Sequence, residues 1–123
     1  RTEELRATEE KLSSDRRRIY GEILDPYIRA LANIKGQGAR QALKKVVSDE
    51  YRKTALELTL VGSDEVVRKY NDLLQYAHEA ESAGQCDYPE ILPFFGRLLL
   101  AIRKSLGNKK TKLNELDMLG VSQ

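Results

Sequence analysis

His78 is the only histidine of the 123-residue chain, and Cys86 is the only cysteine. Imidazole and thiol are the side chains most often recruited for metal ligation and nucleophilic attack near neutral pH. His78-Glu79 matches half of an HExxH zinc-protease motif, but Ser82 stands where the second histidine belongs. The two-histidine grip on one helix face is therefore missing. A transition-metal site would have to be completed by carboxylates, and no such spacing stands out. A Cys–His nucleophile pair would need an orienting third group and an oxyanion frame, and neither is recognisable. His78 reads as a surface residue near a helix end and Cys86 as a plain thiol. The expectation is no catalytic residue, no metal, no cofactor and no small-molecule substrate.

Two further segments have the residue types that hold anions. Gly36-Gln37-Gly38, between Lys35 and Arg40, would offer backbone N–H groups to a phosphate. The Walker-type Gly-Lys-Ser/Thr ending is absent, so the segment reads as a helix end and a turn. Basic residues form two clusters. One is Arg16-Arg17-Arg18. The other lies in residues 91–114, which contain no acidic residue while Arg97, Arg103, Lys104, Lys109, Lys110 and Lys112 all fall there. These six are the candidate contacts for a polyanion, either nucleic acid or anionic lipid headgroups. The bland alternative is a solvated face. Aromatic residues interleaved with the charges, as single-strand binding requires, are missing from Arg16-Arg17-Arg18 and from the Lys104 to Lys112 segment.

The elements that must carry these residues are helices. Leu5, Leu12 and Ile19 recur every seven residues in an otherwise charged stretch. Seven is the spacing of a coiled-coil seam, although the second seam position is not apolar. Residues 1–18 are read as a charged stalk helix and residues 19–123 as the helical body. Ile19, Ile23, Tyr27 and Leu31 form one row, flanked by Tyr20, Leu24 and Ile28. Pro26 interrupts that stripe and predicts a kink or a restart, with Asp25 as the new cap. A second helix is expected over residues 39–60, burying Ala39, Ala42, Leu43, Val46, Val47, Tyr51, Thr54, Ala55 and Leu58. Gly62 stops it, and Ser63 caps a third helix over residues 64–82 with Asp64 and Glu65 in its first turn. Pro89 opens a fourth helix ending at Leu106-Gly107-Asn108. It is apolar on most sides, so it should be buried against several neighbours. Gly96 would let another helix come close. A last short turn is expected to pack Leu113, Leu116 and Leu119 back on the body. The fold class is all-α, a helical bundle of four main helices with an extended N-terminal stalk.

Composition narrows the class further. A net charge of +2 gives no sign of obligate nucleic-acid binding. A single cysteine excludes an internal disulfide and favours an intracellular location. The longest apolar stretch, residues 91–102, is too short for a membrane span and contains Pro93, Gly96 and Arg97.

Gly62-Ser63-Asp64-Glu65-Val66, the run from Phe95 to Asn108 with Leu98-Leu99-Leu100-Ala101-Ile102-Arg103-Lys104 at its centre, and Thr111-Lys112-Leu113 carry a resemblance. They resemble segments of a group of uncharacterised prokaryotic proteins in which a membrane helix precedes a charged helix and a small helical domain. The likeness covers residues 19–113 and departs after Leu113. It implies the fold and a membrane-anchored arrangement but no activity. The chain, which begins on Arg1, is accordingly read as the cytosolic part of a longer polypeptide, with its span upstream.

The function expected is a non-enzymatic interaction or scaffold domain on the cytoplasmic side of a membrane, with an unidentified protein partner. The alternative is a small nucleic-acid-binding or regulatory protein that uses the C-terminal basic stretch. A homodimer through residues 1–24, seamed by Leu5, Leu12 and Ile19, is expected against the alternative that this helix folds back on its own body.

Overall fold

The structure is a computed structural model that describes residues 2–32, 41, 42, 44–82 and 88–120. It is all-α: α1 spans Glu3–Ala32, α2 Asp49–Val61, α3 Asp64–Ser82, α4 Tyr88–Ser105 and α5 Glu115–Met118, with a 3₁₀ turn at Lys45–Val47. No strand occurs among the described residues. Four helices are substantial, as the hydrophobic periodicity requires. The chain divides into two compact units, Arg1–Gly62 and Ser63–Gln123.

In the first unit α1 packs against α2. Ile19, Tyr20, Ile23, Leu24, Pro26, Tyr27 and Ala30 of α1 are buried, as are Tyr51 and Leu58 of α2. The expected restart at Pro26 does not occur. The helix continues through it, and Asp25 is not a cap: its carboxylate takes Arg29 one turn on and Lys45 from the 3₁₀ turn. Proline inside a helix removes an N–H and costs about 3 kcal/mol. The apolar stripe on both sides of Pro26 is buried, and that packing holds the backbone helical across the gap. A tertiary hydrogen bond lies beside it. Tyr51 Oη donates to the Ile23 carbonyl at 2.9 Å, in a buried position and across 28 residues of sequence.

The first turns of α1 differ from the rest. Residues 2–12 are all exposed, Leu5 at 42% and Leu12 at 38%. Anchoring begins at Arg16, whose Nε donates to the Val61 carbonyl at 2.7 Å. Arg18 donates to Glu57 at 2.8 Å and reaches Glu22, which also accepts from Thr54. Ile19 does not join the exposed seam. It is 1% exposed, so it belongs to the unit's core and is closed to a second chain.

The second helix is shorter than residues 39–60. Ser48 is extended (φ −72°, ψ 153°), and its hydroxyl accepts from Tyr51 N at 3.2 Å, capping α2. Asp49 and Glu50 then occupy the first turn, where negative charge suits the helix dipole. Val46 is half-buried and Val47 is exposed, because the 3₁₀ turn leaves the helical register before α2 begins. Ala39 and Leu43 lie outside the described residues, as do Gly36, Gly38 and Cys86.

The second unit is nearer to expectation. Ser63 Oγ accepts from Val66 N at 3.3 Å at the head of α3, which buries Val66, Tyr70 and Leu73. α4 packs against both α3 and α5, burying Phe95, Leu98, Ala101 and Ile102. Leu116 and Leu119 are half-buried, whereas Leu113 is 42% exposed and does not pack back.

Replacing Tyr51 with Phe should destabilise the chain by about 1–2 kcal/mol, because the Ile23 carbonyl loses a buried donor. Thermal melting followed by circular dichroism should show a fall of several degrees with the helix signal intact. An unchanged midpoint would show that the hydroxyl is dispensable.

Candidate functional site

α4 ends in a Schellman arrangement. Gly107 has φ +119°, a conformation side chains rarely adopt, so the chain reverses there on a glycine. Gly107 N–H donates to the Lys104 carbonyl and Asn108 N–H to the Arg103 carbonyl, both at 3.2 Å. Thr111 N–H turns back on Asn108, and Leu113 N–H donates to Thr111 Oγ1. The turn is thereby closed on itself, and it bounds an open concavity lined by Gly107, Asn108, Lys109, Lys110 and Thr111.

The six basic residues of the sequence-derived site separate into two kinds. The two arginines are engaged. Arg103 Nε donates to Thr111 Oγ1 at 3.0 Å, which ties the turn to the last helical residues. Arg97 lies over the Phe94 ring, 5.4 Å from its centroid, and its Nε meets Glu115 Oε2 at 2.8 Å. That carboxylate oxygen is shielded from water and accepts no hydrogen bond, so the ion pair with the guanidinium is what compensates its charge. Phe94 in turn stacks on Tyr76 at 4.6 Å, and Tyr76 Oη meets Glu90 at 2.6 Å.

The lysines differ. Among the described residues, Lys104, Lys109, Lys110 and Lys112 make no side-chain hydrogen bond or ion pair. Lys109, Lys110 and Lys112 are exposed and Lys104 is half-buried. The neighbouring acids do not neutralise them. Glu115 is held by Arg97, and the Asp117 carboxylate accepts from Asn114 N–H in a capping box. The result is a group of uncompensated cations around one closed turn.

What brings Glu115 to Arg97 is Gly96. A Cβ on Gly96 would lie 2.7 Å from the Glu115 carbonyl oxygen and 3.2 Å from Leu119 Cδ1. The close approach expected of Gly96 is thus realised with the short α5. The acceptor is backbone and cannot swing aside.

The other sequence-derived candidates fall elsewhere. Arg16 and Arg18 are spent on Val61, Glu57 and Glu22, leaving Arg17 exposed. The Arg18 guanidinium is pushed above its ordinary value. The hydrogen bond to Glu57 is the largest cause, opposed by partial desolvation and supported by the charges of Glu57 and Glu22. His78 is exposed on α3. No group of His, Cys, Asp and Glu suited to a metal ion occurs among the described residues, and none of their helices is long and apolar enough to cross a membrane.

Gly96→Ala should displace α5, lowering stability by about 1–3 kcal/mol. Limited trypsin digestion should then cut faster after Lys109, Lys110 and Lys112 while α3 and α4 stay protected. Digestion at the wild-type rate would mean that α5 tolerates the methyl group.

No family model matches this chain, and no curated protein or solved structure is significantly similar to it.

Proposed function

We propose that the chain is a non-enzymatic interaction domain, displayed beside a membrane on a charged helical spacer and paired with a second copy through that spacer. The observation that carries this reading is α1. Thirty residues at about 1.5 Å rise make a helix of roughly 45 Å. Its tertiary hydrogen bonds begin only at Arg16, and its first turns give their side chains to solvent. A helix so charged and so weakly buried has little stability alone, and continuity with the packed half sustains it. Such a segment sets distance and presents an edge.

The edge it presents is Leu5 and Leu12. Covering two leucines in each of two chains is worth about 2 kcal/mol per side chain. That is of the order of the association cost, so the pair is weak until a tether raises the local concentration. The membrane-side location is the one implied by the resemblance to anchored prokaryotic proteins.

Sedimentation equilibrium at high protein concentration should show a reversible dimer. Leu5→Asp with Leu12→Asp should return it to monomer and leave the melting temperature of dilute protein unchanged, because neither side chain belongs to the core. Fractionation of the full-length gene product should place it with membranes. His78→Ala with Cys86→Ala should leave its cellular role intact. A strict monomer at every concentration, or a product found only in the soluble fraction, would sink this reading.

A further inference from the structure

We infer that the turn formed by residues 104–113 is a contact surface for the anionic headgroups of a phospholipid bilayer. The inference rests on the membrane-side reading above and names what the domain would touch there.

Four unpaired lysines lie within nine residues of sequence. An ammonium on a flexible stem is a mobile point charge, matched to a diffuse negative layer rather than to one fixed oxyanion. The two guanidiniums of the same stretch, the groups suited to bidentate recognition of a phosphate or a base edge, are each held through Nε, by Thr111 and Glu115.

The backbone points the same way. A discrete phosphate pocket is built from inward-facing N–H groups. Here the N–H groups of Gly107, Asn108, Thr111 and Leu113 are all consumed inside the turn. The turn also sits at the C-terminal end of α4, where the helix dipole is negative and its field repels a buried anion. The side chains of Lys109, Lys110 and Lys112 are exposed around it, with Lys104 half-exposed. No aromatic side chain occurs in residues 103–114 to stack on a base. Leu113, exposed next to Lys112, instead supplies an apolar side chain at the edge of the charge.

Each lysine near an anionic surface contributes roughly fivefold to partitioning, so four together give several hundredfold at modest ionic strength. The contribution fades as salt shortens the Debye length.

The test is co-sedimentation of the intact chain with vesicles of phosphatidylcholine alone and of phosphatidylcholine with about 30% phosphatidylserine. Inorganic phosphate and duplex DNA serve as competitors. Binding is expected only to the serine-lipid vesicles, weakening with salt and unaffected by millimolar phosphate. The combined variant Lys104→Gln, Lys109→Gln, Lys110→Gln, Lys112→Gln should lose about a hundredfold or more in partitioning. The same four positions changed to Arg should keep it, and circular dichroism should show both variants folded. Equal binding to both vesicle types, a Gln variant that binds like the wild type, displacement by phosphate, or preference for DNA at the same salt would each overturn the lipid contact. If the full-length product still fractionates with membranes, that failure removes only the lipid surface. A soluble product removes the membrane-side reading itself.

Discussion

A proline buried in the middle of a long helix leaves a carbonyl without its donor, and the first unit is organised around that gap. Pro26 cannot donate to the carbonyl of Glu22, and its ring crowds the preceding turn. The helix survives because Ile19, Tyr20, Ile23, Leu24, Tyr27 and Ala30, on both sides of the proline, are buried, although Ile28, expected in the same stripe, is 52% exposed. One residue beyond the gap, Tyr51 reaches across from α2 to bond the Ile23 carbonyl. Tyr51 is also the residue whose N–H is capped by Ser48. The start of α2 is thereby tied to α1 through the same residue, one position from the proline's gap. Salt bridges around this region, such as Arg18 with Glu57, are exposed and screened and add little beside it.

The charged third of the sequence is divided by chemistry as well as by position. Arginines that face neighbouring elements are used inside the fold: Arg16 on Val61, Arg18 on Glu57, Arg97 on Glu115 and Arg103 on Thr111. A planar guanidinium suits such fixed partners. The lysines of the C-terminal turn are left facing solvent. A near-neutral total charge conceals this arrangement, because the acids that balance the sum are paired elsewhere or lie on other faces.

The sequence-level reading succeeded where local chemistry and burial agreed. Ser63 preceded by Gly62 marked the start of α3, and Gly107 marked the end of α4. The same Ser-Asp-Glu signal occurs at Ser48-Asp49-Glu50, where it is masked by its surroundings. No glycine or proline precedes it, and Val46 and Val47 continue the apolar spacing of what looks like a single helix. Pro26 erred the other way: a strong local breaker was overridden by tertiary burial that periodicity alone does not weigh. Within the candidate site, the run of cations was plain from composition. Which of them were already occupied was not, because Glu115 meets Arg97 only through a tertiary approach. Ile19 shows the same limit. Its seven-residue spacing matched a seam, but its neighbours Tyr20 and Ile23 drew it into the core.

The bare face of Gly96 also bears on how such a chain can change over generations. Every single-base change that replaces a glycine with another residue installs a Cβ, and here that atom would meet a backbone oxygen that has nowhere to retreat. Position 96 has no neutral neighbour in sequence space. Variation at this junction must accumulate on the other side, in the identity of the residues at 115 and 119, where a change alters what is pressed against the glycine without filling its place. Arg97 is then bound to the same history, since the carboxylate it compensates is delivered by that approach.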